Sequence, residues 1–161
     1  MARADLDQLV TVPLLDRLID RDPKNSQEPL MSRAQSVRLL KESLRRDIEW
    51  LLNTRRIAEE STDPKAELTH SLYNYGLPDL THYSFHSSRD MTRVTWLLEN
   101  TVAIFEPRLR NAKVYVEPAE RGTLQIKFRV EGMLVMDPAP ERVSFDTTLD
   151  VSSQSYTVEG S

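Results

Sequence analysis

A change of hydrophobic period at residues 105–109 constrains the fold of this chain more than any other feature of its sequence. Ahead of the change, apolar residues recur three or four positions apart, as on one face of a helix: Met91, Val94, Leu98, Val102 and Phe105. Behind it, from Val114-Tyr115-Val116 onwards, the pattern alternates as in a strand. Pro107 disfavours helical geometry at Glu106 and has no N–H to donate. The sequence therefore predicts that a helix ends at Phe105 or Glu106 and that a sheet follows.

Glu106, Pro107 and Arg108 form a charged bend at this change of period. In extended geometry Glu106 and Arg108 project to one side of the chain and Pro107 to the other. One interpretation is a plain helix stop with a local ion pair, which contributes little stability at a surface. The other is a rigid bend that presents an acid and a base to a neighbouring molecule. The tripeptide alone leaves both interpretations open.

The first half of the chain carries a second long helix and a shorter amphipathic arm. Ser32-Arg33-Ala34-Gln35 has the pattern of a capping box. An apolar stripe at helical spacing follows it: Val37, Leu40, Leu44, Ile48 and Leu51. Residues 5–20 are rich in leucine and precede a polar linker at 22–30. This arm packs either on its own domain or on another chain, and the sequence favours neither.

Three strands are predicted after the bend. They are residues 112–116, residues 124–136 with a bulge at Glu131-Gly132, and residues 143–151. The fold class is therefore α+β, with two main helices packed on a small, mainly antiparallel three-stranded sheet and a short N-terminal helical arm. The predicted divisions are an arm and linker at 1–30, the α+β domain at 31–151 and a polar C-terminal tail at 152–161. An uncovered edge of so small a sheet would accept a strand from another chain, and the sequence leaves open whether the domain protects its edges or offers one of them.

Composition excludes several classes of function. With 161 residues, 39% of them hydrophobic, the chain is long enough for one domain with its own core. It has no cysteine, which excludes disulfides, thiol catalysis and cysteine-ligated metal. The net charge of −4 disfavours nucleic-acid binding, although residues 33–56 are locally basic. No apolar run is long enough for membrane insertion and no secretory signal is visible, so we expect a cytoplasmic protein.

Two candidate chemical sites are incomplete in the sequence. His82 and His86 are four residues apart, but Tyr83 stands where zinc proteases have a glutamate, and spacing offers no third ligand. We therefore expect neither a metal nor a cofactor. Glu99 and Glu106 could share one helix face, whereas a glycosidase needs two carboxylates across a cleft. Arg108 beside Glu106 also favours the ionised carboxylate, which is the wrong state for a general acid. Catalysis is thus the less favoured alternative.

Three motifs that occur in a fixed order indicate a protein family more specifically than any one of them does. The basic helix from Ser43 to Arg56 comes first, then the loop from Ser71 to Leu80 with its Asn74-Tyr75-Gly76-Leu77-Pro78-Asp79 core, then Phe105-Glu106-Pro107-Arg108-Leu109. Together they resemble the TssE family of type VI secretion baseplate subunits, which is related to a contractile-phage baseplate wedge protein. The resemblance covers about residues 13–151. Members have also been labelled lysozyme-like, which keeps a glycoside hydrolase acting on peptidoglycan as the alternative.

The resemblance implies a structural protein rather than an enzyme. It implies a place in a cytoplasmic baseplate at the inner membrane, beside the subunits TssF, TssG and TssK. Glu106, Pro107 and Arg108 correspond to a corner associated with docking onto the helical core of the wedge, and residues Tyr75 to Asp79 are counted as interaction residues with it. The sheet is implied to template the contractile sheath of TssB and TssC by strand exchange.

Overall fold

The computed structural model describes residues 10–19, 24, 32–56, 70–85, 87–117 and 125–160. Within these ranges the chain forms three α-helices, a single 3-10 turn at Leu72–Asn74 and one four-stranded antiparallel sheet in the order β1-β2-β3-β4. The elements are α1 Leu14–Leu18, α2 Arg33–Asn53, α3 Ser88–Phe105, β1 Leu109–Val116, β2 Gln125–Leu134, β3 Glu141–Asp150 and β4 Ser155–Gly160.

The predicted three-stranded sheet is wrong, because a fourth strand follows β3. β4 lies in the segment read as a polar tail, and it pairs antiparallel with β3 through Tyr156↔Leu149 and Val158↔Thr147. Only Tyr156 and Val158 are buried in it, and two alternating apolar residues are too short a pattern to indicate a strand. The overall α+β class is as predicted.

The bulge also lies elsewhere than predicted. β2 runs without interruption through Gly132, and the irregularity is in β1, between Arg110 and Lys113. Asn111 has a φ of 54° there, a left-handed geometry that Asn tolerates better than most residues. β1 starts at Leu109, three residues before the predicted first strand, and the bulge interrupts the alternation of buried and exposed residues there.

The ends of the two long helices follow the sequence prediction. The capping box of α2 is present: the Ser32 hydroxyl accepts a bond from the Gln35 N–H at 3.3 Å, and the Gln35 side chain accepts one from the Ser32 N–H at 2.8 Å. α3 ends at Phe105, and Glu106 is its C-cap residue. Pro107 accounts for this end, because it cannot continue the helix.

One apolar core lies between the sheet and the two long helices. Its largest fully buried side chains include Phe128 and Phe145 from the sheet and Leu44, Ile48 and Leu51 from α2. Burying a side chain of this size contributes about 1.5–3 kcal/mol. α2 packs beside β4, and α3 packs beside β1. Each edge strand of the sheet therefore has a long helix next to it.

Candidate functional site

The predicted bend is a tight corner between α3 and β1. The N–H of Glu106 donates to the Val102 carbonyl at 2.9 Å, which completes the last turn of the helix. The N–H of Leu109 donates to the Glu106 carbonyl at 3.1 Å and closes the corner. Glu106 and Arg108 thus lie on either side of Pro107, between two hydrogen-bonded elements.

Arg108 and Glu106 form a two-pronged ion pair. Arg108 Nε donates to Glu106 Oε1 at 2.7 Å and Nη2 donates to Oε2 at 2.5 Å. Such fork geometry gives the strongest and most directional of the charged hydrogen bonds. The side chain of Glu106 is only 6% exposed, whereas that of Arg108 is 27% exposed. The hydrogen bond to Glu106 raises the pKa of Arg108, so this guanidinium is permanently charged.

Asp47 on α2 is a third member of this network. Arg108 Nη2 donates to Asp47 Oδ2 at 2.7 Å, and the Ser43 hydroxyl lies 3.4 Å from the same oxygen. Asp47 could not be found from the sequence, because nothing in a basic helix indicates which distant residue each of its three acids will contact. The available signal was the polar pair Ser43 and Asp47, four residues apart beside the apolar stripe. The network joins α2 to the α3–β1 corner.

The Tyr75 loop meets the same corner. The Tyr75 ring packs edge-on against Phe105 with centroids 5.3 Å apart. Burial raises the pKa of Tyr75, and the charges of Asp47 and Glu106 raise it further. Two motifs that are thirty residues apart in sequence are therefore brought together in space.

The next residues fasten the loop to the end of α2. Leu77 is fully buried, and its N–H donates to the Thr54 carbonyl at 2.8 Å. Gly76 has a φ of +103°, and a Cβ there would lie 2.3 Å from the same carbonyl oxygen. Asp79 differs from these residues: it is exposed, and the backbone N–H of Thr81 lowers its pKa by hydrogen bonding. Tyr75 thus packs on the corner, Gly76 and Leu77 fasten the loop to the end of α2, and Asp79 faces solvent.

A family model described as baseplate wedge protein gp25 matches residues 38–139, more than half of the chain. The chain belongs to the baseplate wedge protein gp25 family. This is the family of TssE, so the resemblance seen in the sequence is confirmed. The match includes Asp47, the Tyr75 loop and the Glu106–Arg108 corner. Searches of curated proteins and of solved structures each find no match.

Membership in the gp25 family supports a structural role in a phage-like baseplate, in contact with other baseplate components. In the described part of the chain, no helix is both long and apolar enough to cross a membrane. The described residues also contain no cluster of three His, Cys, Asp or Glu side chains that could hold a metal ion. His82 is described, whereas His86, the other histidine of the incomplete motif, lies outside the described residues.

A second surface of this gp25-family chain lies next to the corner. Arg46 donates to both carboxylate oxygens of Asp16 at 2.7 and 3.0 Å, which ties α1 to α2. The same guanidinium lies 5.1 Å from the centre of the Trp50 ring, a distance that allows a cation–π contact. Leu14 and Leu18 remain 69% and 72% exposed. The described part of the arm therefore contacts its own domain through the buried Val10, whose N–H donates to the Ser36 hydroxyl, and through the Asp16 ion pair, and it leaves the leucines of α1 exposed.

Glu99, the other acid weighed for catalysis, is bound to the sheet rather than placed across a cleft. Glu99 Oε1 accepts a bond from the Val114 N–H at 2.9 Å, and Oε2 lies 3.4 Å from Lys113 Nζ. One apolar cavity of about 180 Å³ opens elsewhere, between the loop at residues 80–85 and the β3–β4 turn. None of the described residues lining it is a carboxylate.

Proposed function

We propose that this protein is the TssE subunit of a type VI secretion baseplate. In this role it docks in the wedge beside TssF, TssG and TssK, and its sheet templates the first ring of the TssB–TssC sheath. The assembly lies in the cytoplasm at the inner membrane. The observation that carries the docking proposal is the arginine held at the helix–strand corner, with its guanidinium fixed by Glu106 and Asp47 and still partly exposed.

Glu106 and Arg108 differ in side-chain exposure, and we assign them different roles on that basis. Glu106 is too deeply buried to be a large contact surface, so it acts as a positioning residue for Arg108. Arg108 and Asp47 are each 27% exposed at the side chain. A guanidinium has five N–H donors in a rigid fork. Because its own network fixes the side chain, a partner carboxylate or backbone carbonyl meets a donor that has little rotamer freedom left to lose.

The rival interpretation is that the network only stabilises the fold. Removing one partner of a part-buried ion pair leaves the other charge poorly solvated, which destabilises a protein whatever its binding role. Loss of function in an Arg108→Ala variant would therefore not separate the two interpretations. Variants that keep the charge while losing the fork geometry do separate them.

Arg108→Lys keeps the positive charge but cannot form the two-pronged contact. We expect a folded protein whose melting temperature falls by a few degrees, since about 1 kcal/mol corresponds to about 2–4 °C in a chain of this size. We expect its affinity for co-purified TssF–TssG to fall at least about tenfold, which corresponds to about 1.4 kcal/mol. Calorimetry and pull-down from purified components measure the two quantities.

Arg129→Lys is the matched control, because Arg129 also binds two carboxylates, those of Glu117 and Asp146, on the outer face of the sheet. It is expected to bind TssF–TssG like the unmodified protein. If folded Arg108→Lys and Arg108→Gln both bind normally, the corner is a purely internal brace and the docking proposal fails.

A further inference from the structure

The apolar cavity between the loop at residues 80–85 and the β3–β4 turn has the size of one large side chain. Its volume is about 180 Å³, it opens to the surface, and its walls are mainly apolar: Leu80, Tyr83, Phe85, Leu149 and Val151. An apolar cavity of about 150 Å³ accommodates a benzene molecule. This cavity therefore has room for one group of the size of a leucine or phenylalanine side chain.

Arg55 lines the same cavity, and backbone groups fix its guanidinium. Nη1 donates to the Leu52 carbonyl at 3.2 Å, and Nη2 donates to the Gln154 carbonyl at 2.6 Å. The residue is exposed, and a guanidinium has five N–H donors, so these two bonds leave donors for a ligand. Among the residues that the structure describes, Arg55 forms no ion pair with a carboxylate.

Asp79 is an acid near Arg55, but its carboxylate is bound within its own turn. It accepts bonds from the Thr81 N–H at 3.0 Å and from the Thr81 hydroxyl at 2.9 Å. These bonds lower the pKa of Asp79 more than the charge of Arg55 does. The Arg55 guanidinium therefore keeps its outward donors for an anion from another molecule.

Tyr156 brings a second donor to the cavity. It is one of the lining residues and is only 2% exposed. Within the described part of the chain, its hydroxyl has no hydrogen-bond partner. Burial raises the pKa of this hydroxyl, so it stays a neutral O–H donor. A buried donor without a partner is rare in folded proteins, and an acceptor oxygen of a ligand would satisfy it.

A ladder of three α2 side chains holds β4, and with it one wall of the cavity, in place. Asn53 accepts a bond from the Tyr156 N–H and donates to the Tyr156 carbonyl, both at 2.8 Å. Arg45 donates to the Val158 carbonyl at 2.7 Å, and Glu49 accepts from the Val158 N–H at 3.4 Å. The wall is therefore formed before a ligand enters, which lowers the entropic cost of binding.

We propose that this cavity binds the C-terminal residue of another protein chain, with its apolar side chain inside the cavity and its carboxylate at Arg55. A carboxylate accepts paired, charged hydrogen bonds from a guanidinium, and it has further acceptor capacity for the Tyr156 hydroxyl. A chain end is the place in a protein where an apolar side chain and a carboxylate are attached to the same carbon atom. Capture of C-terminal carboxylates is a known mode of peptide recognition.

The site is separate from the Arg108 corner and does not rest on the proposed function. Four of the lining residues lie after residue 139, where the match to the gp25 family ends. The chain's own last strand leads away from the cavity, because Tyr156 pairs with Leu149 at the cavity and Gly160 pairs with Phe145 further along the sheet. The occupant we propose is therefore a different chain.

Titration of the isotope-labelled full-length chain with short peptides, followed by NMR, tests the ligand chemistry. The probes are acetyl-Gly-Gly-Leu and acetyl-Gly-Gly-Phe, each with a free carboxylate or with a C-terminal carboxamide. We expect a carboxylate peptide to bind with a Kd below about 1 mM and to shift the amide signals of Leu80, Val151 and Tyr156. We expect its carboxamide form to bind at least about tenfold more weakly. Equal affinities, signal shifts elsewhere, or no binding by any peptide would overturn the proposal.

Two substitutions separate the charge from the cavity. Arg55→Gln keeps hydrogen-bond donors but removes the charge, so the carboxylate peptides are expected to bind no better than the carboxamides. Val151→Phe places a ring in the cavity and is expected to abolish binding of all four peptides. Arg38→Gln, an exposed change on α2, is the matched control and is expected to bind like the unmodified protein. Melting temperatures show whether each variant is folded. A folded Arg55→Gln that still prefers carboxylates, or a folded Val151→Phe that binds normally, would contradict the assignment.

A free organic acid distinguishes a chain end from a small molecule. Phenylpropionate has an aromatic group and a carboxylate but no peptide backbone. If it binds at the cavity and the peptides do not, the ligand is a small organic acid and the assignment to a chain end fails. Arg108→Lys is expected to bind the peptides normally, so a failure at this cavity and a failure of wedge docking are distinguishable.

Discussion

Gly76 shows how one residue can fix the position of the Tyr75 loop. Its φ of +103° and the 2.3 Å gap between a built Cβ and the Thr54 carbonyl oxygen leave no room for any side chain. The close approach lets the Leu77 N–H reach the same carbonyl. Tyr75, one residue earlier, is thereby held against Phe105 at the corner.

Gly76→Ala is expected to lower the free energy of unfolding by at least about 2 kcal/mol, since it combines an unfavourable φ with a backbone clash. Urea denaturation followed by fluorescence measures the change. Gly160→Ala is the control, because a Cβ there meets only ordinary contacts of 3.4 Å or more. Similar stabilities for the two variants would show that the loop can move away from α2 at little cost.

The charged corner illustrates which site residues a sequence can reveal. The sequence located the corner through Pro107 and the change of hydrophobic period, because the effects of both depend only on residues that are neighbours in the chain. Asp47 could not be found in this way, since its contact with Arg108 spans sixty-one residues. Nor could the burial of Glu106, which depends on how elements far apart in the chain pack together. Whether Glu106, Arg108 and the Tyr75 loop bind a partner stays a prediction.

Helix α2 makes three different sets of contacts through adjacent faces. At about 100° per residue, its apolar stripe faces the core, Ser43 and Asp47 lie on one flank, and Arg45, Glu49 and Asn53 lie on the other. The first flank binds the corner, and the second binds the β4 edge. The sequence predicted the helix and its stripe, because both follow from local periodicity. It did not predict β4, whose pairing depends on β3 and α2 rather than on its own short pattern.

Asn53→Ala is expected to leave the outward backbone groups of Tyr156 without a partner. The loss is about 1–3 kcal/mol of stability, because two buried polar groups become unsatisfied. Amide hydrogen exchange at Tyr156 should accelerate at least about tenfold, as measured by NMR. Arg38→Ala, an exposed change on the same helix, is the control. Unchanged exchange at Tyr156 would mean that α2 covers this edge by packing alone.

The molecule as a whole places the Arg108 corner where α3 ends and β1 begins. We propose this corner as the surface that docks in the wedge. The two acids weighed for catalysis are bound within these structures, Glu106 to Arg108 and Glu99 to the Val114 N–H.

The purified protein is therefore expected to release no more soluble fragments from peptidoglycan than a buffer blank. A glycosidase needs one carboxylic acid and one carboxylate across a cleft, and both candidates here lie on α3 or at its end. Chromatography of the soluble fraction measures release, with Glu106→Gln and Glu99→Gln as the variants. Release by the unmodified protein that either change abolishes would establish the lysozyme-like alternative.

The side-chain ladder of Arg45, Glu49 and Asn53 has a consequence for the subunit before it is assembled. In a newly made chain whose sheet forms before α2 docks, the outward backbone groups of β4 would be unpaired. Identical copies could then pair through this edge and assemble into filaments. By docking alongside β4, α2 pairs these backbone groups, so identical copies cannot join through this edge.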